Sequence, residues 1–160
     1  MMISYVTGNN KFQYRAASVI VHNGKVLLQR DTSDQVWYIP GGRVEFDESA
    51  EEAIEREMLE EFNVPIVNKK LIWLVENFIE FSDRRVHEMG LFYLVHLPSG
   101  HSIYQHNDEF EGAEQGFANK WVHMEALDDY FIVPEFVVPE LRTLQHVEGI
   151  KHIVNRSVRK

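Results

Sequence analysis

A chain of 160 residues, 44% hydrophobic and 26% charged, is sized for one domain that can bury a core of its own. It has no cysteine, which excludes disulfides and thiolate metal sites and leaves carboxylate, imidazole and carbonyl groups as ligands for any metal. A formal charge of −9 argues against bulk nucleic-acid binding, which needs a basic surface.

The expectation is a single domain over 1–160, cytoplasmic and without a membrane partner. No apolar run approaches the roughly 20 residues that span a bilayer, and the first residues lack the pattern of a signal peptide. Apolar runs at 16–21 and 26–28 flank Asn23-Gly24, a pair that tolerates positive φ and predicts a two-residue hairpin turn. A short strand is predicted over 36–39, ending at Pro40-Gly41-Gly42. Residues 49–62 form the best helix, with Ser49 as cap, Glu51 and Glu52 in the first turn, and Asn63 and Pro65 to end it. Two longer strands, 71–81 and 86–97, are joined by Ser82-Asp83-Arg84-Arg85. A loop rich in glycine and acids follows, then a strand at 120–123, a helical turn at 125–130 and a final helix over 134–147. Lys151, Arg156, Arg159 and Lys160 make the end of the chain basic, which reads as a solvated helix end rather than an anion site. Together these elements predict a mixed α/β (α+β) layered domain with helices packed on a sheet.

The chemistry is concentrated in the first helix. At about 100° per residue, Glu57, Glu60 and Glu61 fall on one side of it, beside an apolar stripe of Ala50, Ala53, Ile54, Met58 and Phe62. Like charges at i,i+3 and i,i+4 repel, and near a low-dielectric surface they cost more or are forced to protonate. A divalent cation removes that conflict, and hard cations such as Mg²⁺ prefer oxygen ligands. A bare Glu-rich segment would ordinarily be a solvated face. Here the acids belong to a pattern of fixed spacing. Gly42 is followed by five residues and Glu48; seven more lead to Arg56-Glu57-Met58-Leu59-Glu60-Glu61-Phe62, then Asn63 and Val64.

That pattern closely resembles the Nudix box: Gly, five residues, Glu, seven residues, Arg-Glu, an aliphatic residue, any residue, Glu-Glu, any residue, Gly and an aliphatic residue. Every charged position matches, and Pro40-Gly41 is similar to the usual lead-in. Asn63 stands where the signature has glycine. Asn is the next most suitable residue for the left-handed conformation at a helix end, so no ligand is lost.

The resemblance implies a Nudix-type α/β/α sandwich around a mixed sheet. It also implies Mg²⁺-dependent hydrolysis, with Mn²⁺ as a substitute, of a phosphoanhydride bond in a nucleotide. The substrate would be a small-molecule nucleoside diphosphate derivative, and a homodimer is common in the family. Glu57, Glu60 and Glu61 would be metal ligands, together with the Gly41 carbonyl. Arg56 would pair with a box carboxylate such as Glu48 and orient it. A further carboxylate would come from the loop before the 120–123 strand, where Glu109, Glu111 and Glu114 compete and Glu114 is nearest that strand. A non-catalytic nucleotide sensor is the competing function. An isoprenoid diphosphate isomerase, which shares the fold, normally needs a cysteine that this chain lacks.

Trp37, Tyr38, Trp73 and Phe78 could stack on a base, but strand aromatics are more often core. Arg15 and Arg30 read as exposed, and the histidines show no zinc-like clustering. Val75-Glu76-Asn77-Phe78 and His87-Glu88 resemble a stretch found in some Nudix proteins, with a bearing on substrate choice that the sequence does not explain.

Overall fold

The structure is a computed structural model that describes residues 1–146 and 148–160. Its strands are β1 (Ser4–Thr7), β2 (Asn10–Val19), β3 (Val21–His22), β4 (Lys25–Asp31), β5 (Gly41–Arg43), β6 (Asn68–Glu80), β7 (Arg85–His96), β8 (Phe117–His123) and β9 (Lys151–Val158). The helices are α1 (Ala50–Phe62) and α2 (Val137–Arg142), with 3₁₀ turns at Ser102–Gln105, Met124–Asp129 and Leu144–His146.

The main sheet runs β1-β2-β7-β6-β9, with β5 paired to β2, and a smaller sheet runs β3-β4-β8. β2 lies parallel to β7 and β9 parallel to β6, while β6 and β7 form an antiparallel hairpin, so the sheet is mixed. Alternation along β2 splits the core in two. Ala17 and Val19 join Trp73, Val75, Phe92, Val137 and Leu141 on one face. Ala16 joins Ala53, Ile54, Met58, Phe62 and Tyr93 on the other, under α1. Burying both faces requires a layer on each side, which is the sandwich that the sequence predicts.

The local signals behave as their chemistry requires. Val21↔Val26 and His22↔Lys25 close the hairpin around Asn23 (φ 50°) and Gly24 (φ 73°), both in the left-handed region. Ser49 caps α1: its hydroxyl accepts from the Glu52 N–H, and the Glu52 carboxylate accepts from the Ser49 N–H. Asn63 ends the helix at φ 56°, and its N–H donates to the Leu59 carbonyl, so it takes the cap position reserved for glycine in the box.

Three expectations are corrected. The 36–39 segment forms no strand; it makes only isolated bridges, Tyr38 with Gln29 on β4 and Trp37 with Ile132, one residue at a time. The final helix is shorter than 134–147: α2 ends at Arg142, and Val147 lies outside the described residues. The basic tail is no helix end. It forms β9, whose Ile153 is buried on the sheet while Val154 and Val158 stay exposed, a period-two pattern. No helix among the described residues is long and apolar enough to cross a membrane.

Candidate active site

β5 and α1 are joined by the loop that carries Glu45 and Glu48, so the two ends of the box face each other. Gly41 and Gly42 pair with Ala17 and Ala16 on β2. A Cβ on Gly42 would lie 2.3 Å from the Glu57 carboxylate. The glycine therefore leaves the space that Glu57 occupies.

Arg56 organises the acids around it. Its Nε donates to Glu48 Oε2 at 2.7 Å and its Nη2 to Glu48 Oε1 at 2.9 Å, a bidentate fork. Nη2 also donates to the Arg43 carbonyl at 3.2 Å, which ties the helix to β5. Nη1 reaches Glu57 Oε1 at 2.8 Å and Glu60 Oε2 at 3.3 Å. The Arg56 fork holds the Glu48 carboxyl below the usual carboxylate range. Its grip on these carboxylates likewise raises the Arg56 guanidinium, which stays charged.

Glu61 is in a different position. It is 6% exposed, and its Oε2 has no hydrogen-bond partner among the described residues. Burial and the adjacent Glu57 charge push its carboxyl up to about 8, with Glu114 adding in the same direction and Arg15 opposing. Burial also raises Glu57, against the pull of Arg56. Glu60 differs from both: its side chain is 55% exposed. Among the described residues, no three His, Asp or Glu side chains are gathered as a finished metal cage. What α1 presents is an inner pair, Glu57 and Glu61, with Glu60 on the solvent side.

The loop after β7 closes over this pair. The N–H groups of Ala113 and Glu114 donate to the Glu61 carbonyl at 2.7 and 3.3 Å, satisfying a carbonyl in the last turn of α1. A Cβ on Gly112 would lie 2.3 Å from that carbonyl, so glycine permits the approach. Glu114 is thereby brought to Glu61. Glu109 is paired with Arg30 at 2.9 Å instead; Glu111 and Glu114 are both exposed, and of the two Glu114 has its N–H on the Glu61 carbonyl.

Arg15 is half-buried rather than exposed, as is Arg30. Arg15 lies 5.6 Å from the Tyr38 ring centroid and donates to the Ile39 carbonyl. Burial pushes Tyr38 up to about 12, Arg15 counters it, and Glu61 is among the acids that add to the rise, so these three side chains share one neighbourhood. Trp37 and Trp73 are core, as expected. Phe78 lies against the His87 ring, tilted, at 4.4 Å, and under the Arg156 guanidinium at 4.2 Å.

The buried unpartnered oxygen of Glu61 and the glycine-made space around Glu57 fit a hard divalent cation. Arg56 pairs with Glu57, whereas burial and the Glu57 charge disfavour ionised Glu61, and a cation held by oxygen donors would offset that cost.

Comparison with known proteins agrees with this geometry. The NUDIX domain family model matches residues 13–141. A mutator MutT protein from Bacillus halodurans superposes with a TM-score of 0.60 at 16% identity, over 88% of this chain and 86% of that one. An ADP-ribose pyrophosphatase from Streptococcus suis gives 0.58 at 14% identity, over 89% and 98%. A UDP-X diphosphatase gives 0.58 at 16%, over 93% and 68%. A sequence comparison with curated proteins finds no match. At these identities the structural likenesses establish the fold, and the family model, spanning most of the chain, establishes the rest: this protein belongs to the Nudix domain family.

Proposed function

We propose that the protein hydrolyses a phosphoanhydride bond in a nucleoside diphosphate joined to another group, in a Mg²⁺-dependent reaction. The candidates are a nucleotide sugar, ADP-ribose, a dinucleoside polyphosphate or a (d)NTP. The observation that carries this reading is Glu61, a 6%-exposed carboxylate with an unpartnered oxygen set against Glu57.

Glu57 and Glu61 would hold the cation, with Glu60 from the solvent side, the Gly41 carbonyl from β5 and Glu114 from the loop. Mg²⁺ held there, or Mn²⁺ in its place, would supply charge neutralisation at phosphate oxygens and a lowered pKa for a water. The remaining work falls to the chain. Arg56 fixes Glu57 at 2.8 Å and is itself locked by Glu48, so the pair is oriented before substrate arrives. Glu114, whose backbone N–H is bonded to the Glu61 carbonyl, would serve either as that ligand or as the base that accepts the proton of the water. Arg15, whose charge reaches Glu61, would add positive charge for the substrate's phosphates.

The test is a panel of nucleotide sugars, ADP-ribose, dinucleoside polyphosphates and (d)NTPs, assayed with Mg²⁺ and Mn²⁺ beside a Glu61→Gln variant. Turnover that needs the metal and is lost in the variant is expected. Undiminished turnover in the variant or in excess chelator would overturn the mechanism. Tight nucleotide binding with no turnover would favour a sensor.

A further inference from the structure

On the sheet face away from α1, four polar residues lie side by side across four strands. Gln13 on β2 is the register partner of Glu88 on β7. Glu88 is the partner of Asn77 on β6, and Asn77 of Asn155 on β9. The two inner members are nearly inaccessible, Asn77 at 1% and Glu88 at 8% exposed. Placing a carboxylate and amides on a core-facing sheet surface costs free energy unless each group is satisfied or used.

The outer members hold the inner ones. Gln13 Nε2 donates to Glu88 Oε2. Asn155 Nδ2 donates to Asn77 Oδ1 at 2.9 Å. That leaves Glu88 Oε1 as an acceptor and Asn77 Nδ2 as a donor, adjacent and oriented by fixed neighbours. Both residues line a cavity of about 180 Å³ whose other walls include Tyr38, Ile39, Phe92 and Pro134. Arg15 lines the same cavity and leads to Glu61. Arg159, also in its wall, has a buried Nε with no acceptor. The cavity is thus small, mostly apolar and flanked by an aromatic ring, with a few placed polar groups, as a site for a flat heterocycle should be.

We propose that this cavity holds the base of the nucleotide and that the Glu88–Asn77 pair selects guanine. The inference rests on the hydrolase reading only for its placement beside Glu61. Guanine presents two N–H donors, N1–H and the 2-amino group, next to one acceptor, O6. Glu88 accepts from the donors, and Asn77 Nδ2 donates to O6. Adenine offers a single donor beside an acceptor, and the pyrimidines offer a single donor with two acceptors, so each leaves the carboxylate under-used or faces it with a lone pair. A buried charged acceptor left unmatched is heavily penalised, which makes the pair a filter as well as a holdfast.

The test uses GMP, IMP, AMP, UMP and CMP, none of which contains an anhydride bond, titrated calorimetrically into the full chain in Mg²⁺. GMP should bind about tenfold more tightly than AMP, UMP or CMP, the gain of one charge-assisted hydrogen bond, with IMP between them because it lacks the 2-amino donor. Glu88→Gln should weaken GMP by about tenfold and the others by less than about twofold. Equal affinities, preference for another base, or no binding would overturn the proposal. So would a Glu88→Gln variant that weakens all five alike, which would mark the pair as structural. Guanine preference without hydrolysis of any GDP derivative would uphold the pocket and defeat the hydrolase reading. Hydrolysis without base preference would do the reverse.

Discussion

Glu61 on α1 and Glu88 on β7 are almost equally buried, at 6% and 8% exposed, yet the protein treats them in opposite ways. Glu88 sits in a row of neutral amides and accepts a hydrogen bond from Gln13. Glu61 is set beside Glu57, near Glu114, with one oxygen, Oε2, that has no hydrogen-bond donor among the described residues. A buried carboxylate with neutral donors is ready to read a neutral polar edge. One surrounded by other carboxylates is ready for a cation. On the proposed reading, the difference separates a base-reading carboxylate from a metal-holding one.

The sharpest way to break the comparison is Glu61→Gln, which keeps the shape and removes the charge. Hydrolysis in Mg²⁺ should fall on the order of 10³-fold, the scale seen when a group stabilising the transition state is lost. Glu57→Gln should behave alike. Arg56→Lys acts one step back: lysine cannot reproduce the fork on Glu48, so activity should drop about 10- to 100-fold, measured as kcat/KM. Gly42→Ala should also impair activity through its clash with Glu57, while fluorescence-detected binding of GMP, whose proposed base cavity is walled by Glu88 and Asn77 rather than by Glu57, should change less.

The acid pair also predicts a pH signature. The Glu61 carboxyl is raised to about 8 in the folded chain, so the folded state favours its protonated form. The stability this contributes is fully present below the ordinary carboxylate range and is lost as pH rises through about 8. In excess chelator, the melting temperature should therefore decline between about pH 5 and pH 9, and Glu61→Gln should flatten that decline. A wild-type curve that rises over this range would contradict the assignment. The smallest expected effect is Asn63→Gly, which relieves a left-handed non-glycine residue at φ 56° and should stabilise by a few tenths of a kcal/mol.

Local chemistry was legible in the chain, and long-range register was not. The Asn23-Gly24 turn, the Ser49 cap and the Asn63 terminus depend on residues within a few positions of one another. So does the Glu48–Arg56 clasp, which the box spacing implies and the structure closes bidentately. The tail failed as a helix because β9 exists only by parallel pairing with β6, a partner far away in sequence. Its period-two burial is weak, since an edge strand leaves Val154 and Val158 in solvent. The choice among the loop acids stayed open for the same reason: Glu109 and Glu114 are alike in sequence, and only the folded loop sends one to Arg30 and the other toward Glu61. The row from Gln13 to Asn155 needs three strand registers at once. Asn77 and Glu88 could be singled out from the sequence, but not joined.

The central claim is that Glu57 and Glu61 form a carboxylate pair held open for a divalent cation. Proton release on metal binding tests it most directly. Mg²⁺ should be titrated into the chain near pH 7 in buffers of different ionisation enthalpy. Because the Glu61 carboxyl is raised to about 8, binding should displace close to one proton, falling toward none above about pH 9 and in Glu61→Gln. Mg²⁺ binding that releases no proton near neutrality, or that is as tight in Glu61→Gln as in the wild type, would contradict the account.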